Sequence, residues 1–131
     1  MAAKAAVLAV LMNFTAQVRA TVAVSDVTSP EKRRLSPDDF EFFVEEITDA
    51  LELSGDAGDI AVGASLTQGW FEASFSVDAP DIWEGQTKAM RILEAAQLVA
   101  AQAIDGRFTK AFLAAHLPRI VSAHVDELVL A

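Results

Sequence analysis

Residues 7–26 read VLAVLMNFTAQVRATVAVSD, and two readings of this stretch lead to different proteins. Lys4 ahead of an apolar run, with small residues at both ends of the triplet Val18-Arg19-Ala20 beyond it, has the outline of a secretory leader and its cleavage site. The pattern after Leu11 argues for a strand instead. Met12, Phe14, Ala16, Val18, Ala20, Val22 and Val24 share one parity, and Asn13, Thr15, Gln17, Arg19 and Thr21 share the other, which is the period of two expected of a half-buried strand. A leader's apolar core does not alternate, and the triplet falls inside the best strand pattern of the chain. The stretch is therefore expected to be retained as a strand. Leu8 and Val10 keep the same parity, yet a strand from Leu8 to Val24 would far exceed the usual length of about 3 to 10 residues. Either residues 1–11 form an apolar arm or a folded-back turn, or a bulge lets the strand serve two neighbours. The expected organisation is an arm over residues 1–11 and a single domain over 12–131.

Composition narrows the classes of function. The chain has 131 residues, enough for one hydrophobic core and too few for two ordinary domains. With 53% hydrophobic and 22% charged residues it reads as globular, and its abundant alanine suits close packing of helices on a sheet. A net charge of −9 repels phosphate backbones and anionic lipid, so neither nucleic acid nor a membrane surface is an expected partner. The chain has no cysteine, which removes disulfides and thiol chemistry and is compatible with the expected cytoplasmic location. The longest apolar run, Ala5 to Met12, is much shorter than the roughly 20 residues that span a bilayer.

Further along, Ser25 to Leu35 is polar, holds Pro30 and the basic triplet Lys32-Arg33-Arg34, and reads as a connecting loop. Ser36-Pro37-Asp38-Asp39 combines an N-capping serine, proline at the first helical position and acids at the positive end of the helix dipole. Phe40, Phe43, Val44, Ile47 and Leu51 then form a helical stripe that Gly55 and Gly58 end. Ile60, Val62, Ala64 and Leu66 alternate, Thr67-Gln68-Gly69 intervenes, and Phe71, Ala73, Phe75 and Val77 alternate again, predicting a hairpin. Asp81 is a candidate cap for a helix carrying Ala89, Ile92, Leu93, Ala96, Val99, Ala100 and Ala103 and stopping near Asp105-Gly106. A short extra helix is expected from Phe108 to His116. In the last segment Val121, Ala123, Val125 and Val129 alternate with Ser122, His124 and Asp126, whereas Ile120, Val121, His124 and Leu128 also fit one face of a helix; the β-branched content favours the strand.

The expected class is α+β, with a four-stranded antiparallel sheet carrying two main helices on one face. The order strand, helix, strand, strand, helix, strand over about residues 12–130 resembles the ferredoxin-like arrangement. That resemblance implies a central first strand and one sheet face left open. On that face Gln17 and Arg19 would stand mid-sheet, with Glu72 or Ser74 to one side and His124 or Asp126 to the other. These six are the candidate ligand-binding residues, and Leu8, Val10 and Trp70 are candidate interaction residues.

The sequence has no phosphate loop, GxSxG, HExxH or calcium-loop pattern, so no cofactor or metal is expected. His124 with Asp126 has the form of an acid/base pair, but an ordinary surface pair explains it as well, and no catalytic residue is assigned. The leading expectation is a non-enzymatic module that self-associates or binds a protein through sheet edges, the open face or the arm. A small-ligand sensor or enzyme using the polar face, and a subunit of a larger assembly such as a phage virion, are the alternatives.

Overall fold

The computed structural model describes residues 11–26, 29–111 and 119–131. Strand β1 (Met12–Asp26) is followed by the short β2 (Ser29–Arg33), helix α1 (Pro37–Leu53), the hairpin β3 (Gly58–Ser65) and β4 (Trp70–Ala79), helix α2 (Ile82–Ala111) and β5 (Arg119–Leu130). The class is α+β, as the alternation of patterns predicts. All strand pairings are antiparallel, and the sheet runs β3, β4, β1, β5 from edge to edge.

β1 organises the sheet because each of its edges is used along most of its length. Residues 12–21 pair with β4 and residues 16–26 pair with β5, so these two neighbours lie on opposite sides. β2 pairs at Val24 and Asp26, where the β5 edge is already taken, and so continues the β4 edge where β4 has ended. The stretch expected to be a loop thus contributes a fifth strand to the predicted four. Arg34, from the basic triplet, donates from Nη1 to the Thr67 carbonyl at 2.9 Å. The Val22 amide donates to the Gly69 carbonyl at 2.9 Å, so the tip of the β3–β4 hairpin is tied to β1.

One hydrophobic core joins the inner face of the sheet to both helices. From β1 come Phe14, Ala16, Val18, Ala20, Val22 and Val24, from β4 Phe71, Ala73, Phe75, Val77 and Ala79, and from α1 Phe40, Phe43, Ile47 and Leu51. Small β1 residues face large β4 rings, as in the pairs Ala16–Phe75 and Ala20–Phe71, which fills the layer without overpacking. α1 starts as its sequence predicts, with Ser36 Oγ accepting from the Asp39 amide at 3.2 Å. α2 is capped by Asp81, whose Oδ1 accepts from the Glu84 amide at 2.8 Å.

Two expectations about α2 need correction. The helix runs through Asp105-Gly106 to Ala111, so Phe108 begins no separate helix, and His116 lies outside the described residues. A glycine inside a helix costs about 1 kcal/mol relative to alanine, too little to stop one anchored by the buried Ala100 and Ile104. Val99, expected inside, is exposed, and Ile104 fills the core in its place. Among the described residues no helix is long and apolar enough to cross a membrane.

The candidate polar face of the sheet

The outer residues of four strands come into register as two rows across the open face. Gly63, Glu72, Arg19 and Glu127 form one row, and Ala61, Ser74, Gln17 and Val129 form the next. Small side chains on β3 and in the middle of β4 leave a concavity of about 470 Å³ over these rows, within the usual range of ligand sites. Its rim carries one guanidinium and two carboxylates. Gly58 shapes the neighbouring edge, where an added Cβ would meet Ser76 Oγ at 2.8 Å.

Arg19 does not form an ion pair with either flanking acid among the described residues. Its guanidinium instead lies over the Trp70 ring, 4.3 Å from the centroid, a cation–π contact across the β1–β4 diagonal. Trp70 is itself held, since its indole Nε1 donates to Gln68 Oε1 at 2.8 Å. Trp70 is therefore a brace for the central cation at the end of the concavity. Glu72 and Glu127, the acids on either side of Arg19, both line the concavity.

Four of the six candidate ligand residues, Gln17, Arg19, Glu72 and Ser74, line this concavity. His124 and Asp126 do not. They lie further along β5, where His124 pairs with Thr21 and Asp126 Oδ2 accepts from Thr21 Oγ1 at 2.6 Å. His124 Nε2 is 3.9 Å from Asp126 Oδ1, longer than a hydrogen bond, and the imidazole is 81% exposed. Leu8 and Val10 lie outside the described residues.

His124 falls opposite Thr21, beyond the two rows, and Asp126 is moved from beside Arg19 by a bulge in β5. Arg19 pairs with Glu127 and Ala20 with Val125, so Asp126 is an extra residue with no partner of its own. Parity reverses there, turning Val129 outward and Leu128 and Leu130 toward the core. Glu127 thereby becomes the acid beside Arg19, a role that strict alternation assigned to its neighbours. The adjacent polar residues Asp126-Glu127 between two apolar alternations of opposite phase are the sequence signal for it.

Geometry thus defines a small antiparallel α+β domain with a charged, concave outer sheet face. No protein family matches the chain, and no curated protein is similar to it in sequence. Among the described residues no three histidine, aspartate or glutamate side chains converge as metal ligands.

Proposed function

We propose that the chain is a ferredoxin-like binding domain whose working surface is the open sheet face, and that this face holds a small polar molecule without transforming it. The strand order and the antiparallel pairings support the ferredoxin-like part of the reading. The observation that carries the binding part is Gly63. Glycine within a strand sacrifices about 0.5–1 kcal/mol relative to alanine, so it needs a reason. Gly63 has ordinary negative-φ backbone, and a Cβ added there would touch nothing within 4 Å. The fold itself therefore does not require it, and a ligand closing on the floor of the concavity would account for it.

The same face suits a second protein copy less well. Among the described residues its one large exposed apolar side chain is Val129, and a stable interface needs an apolar core. A thermal-shift screen with a metabolite panel tests the reading. A ligand at about a hundred times its Kd adds about 2.7 kcal/mol, a shift of several degrees. Arg19→Ala should abolish the shift, and a ligand that stabilises this variant equally would show that it binds elsewhere.

A second reading, partner docking, has its own observation at one end of the sheet. Leu11, Met12, Ile82 and Trp83 are 60%, 51%, 47% and 76% exposed. They belong together because Met12 pairs with Ala79, three residues before Ile82. Sedimentation of the full chain against Trp83→Ser tests it, with loss of a dimer in the variant as the expected result.

A further inference from the structure

We infer that the molecule held on the open face is a basic amino-carboxylate, one anionic group accompanied by two cationic ones, as in lysine or ornithine. This rests on the reading of that face as a ligand site and goes on to say what the ligand is.

The charge sequence across the sheet supplies the argument. One row reads Glu72, Arg19, Glu127 on three adjacent strands, which is minus, plus, minus. Neighbouring strands stand about 4.8 Å apart, so the two carboxylates originate about 10 Å from each other, with the guanidinium between them. The complementary pattern is plus, minus, plus. A ligand carboxylate on Arg19 receives a planar pair of donors, while each ligand cation reaches one glutamate.

Simpler charges fit less well. A lone anion meets Arg19 but also two carboxylates, on a chain whose net charge is −9. A lone cation or a metal ion would sit against the guanidinium, and a neutral amino acid leaves one glutamate unanswered. Arg19 contacts the Trp70 ring and forms no hydrogen bond or ion pair among the described residues, so its N–H groups remain available to a carboxylate. The second row completes the fit: Val129 and Ala61 offer apolar surface for the connecting methylenes, and Gln17 and Ser74 offer an amide and a hydroxyl beside them. A volume of about 470 Å³ holds a molecule of this size with bridging water.

Calorimetry and amide chemical-shift mapping on the full chain test the inference, with L-lysine as the probe. Norleucine, which lacks the distal ammonium, and cadaverine, which lacks the carboxylate, are the controls. Lysine should perturb the amides of the two rows, and each control should bind more weakly by roughly tenfold or more, the loss expected for one charged hydrogen bond. Glu127→Gln should remove the preference for lysine over norleucine, and Arg19→Gln the preference for lysine over cadaverine. Both positions are exposed, so neither variant depends on repacking the core.

Equal binding of lysine and either control, or no binding of lysine, overturns the assignment. A different metabolite perturbing the same rows would then leave the ligand site standing. Perturbation of those rows by nothing in the panel would remove the site as well.

Discussion

On one face of β1, Phe14, Ala16, Val18, Ala20, Val22 and Val24 are buried beneath the helices, while on the other Asn13, Thr15, Gln17, Arg19 and Thr21 are exposed. The two faces share one backbone and differ in what their residues answer to. Inner residues are fixed by volume, since each must fill a space bounded by the helices and the neighbouring strands. Outer residues are under no such constraint, and a departure there from good strand-forming residues asks for a reason outside the fold. Gly85 and Gly63 show the difference in one residue type. A Cβ at Gly85 would stand 3.0 Å from both Phe14 and Leu130, whereas one at Gly63 would stand in open space.

Substitutions that cut into the inner face should have the largest effects. Phe75 is fully buried opposite Ala16, so Phe75→Ala leaves a cavity that the small partner cannot fill. Denaturant titration should show a loss of about 3–5 kcal/mol with little change in slope. Gly85→Val comes next. It improves helix propensity but drives two methyl groups toward the Phe14 ring and Leu130, so the net result should be a loss of about 1–3 kcal/mol. A stable Gly85→Val variant would show that the end of β5 is loosely packed, and the contrast between the glycines would lose its meaning.

The inner face was largely legible in the sequence because burial imposes a period. Met12 to Val24 gave the central strand, Phe40 to Leu51 the first helix, and the pair of alternations around Thr67-Gln68-Gly69 the hairpin. Failures fell where a local rule was overridden by position. Ser29–Arg33 has proline and four polar or charged residues, so propensity calls it a loop, yet β1 offers it an unused edge and it pairs. Gly106 signals a stop that the anchored helix ignores. Of the candidate site, the residues of β1 and β4 were legible because no bulge interrupts their pairing, so alternation alone gives the face each one presents, while the register comes from the pairing itself. Glu127 was not, since one inserted residue in β5 moves every outer side chain beyond it by one position.

Smaller effects test how the outer face is held. Thr21 bonds to Asp126, the extra residue of the bulge, so Thr21→Val should cost about 1 kcal/mol or less and raise amide exchange around Val125 to Glu127. Unchanged exchange there would mean that the β5 backbone, without this bond, fixes the bulge and with it the place of Glu127. The brace between Arg19 and Trp70 should appear as a coupling of about 0.5–1 kcal/mol in a double-mutant cycle of Arg19→Ala and Trp70→Ala.

The smallest change in stability belongs to Gly63→Val, and it separates the two faces most cleanly. Valine is favoured in strands and loses less backbone entropy on folding, and a Cβ at this position meets nothing within 4 Å. The variant should therefore be as stable as the parent or up to about 1 kcal/mol more stable, by denaturant titration. Its side chain nonetheless projects into the concavity beside Glu72, so any ligand lying on that row should be displaced. A gain in stability joined to a loss of binding would mean that glycine is kept at a cost to the fold for the sake of what the sheet holds. Destabilisation would place the need for glycine within the fold itself, and the outer face of β3 would then answer to packing in the same way as the inner face of β1.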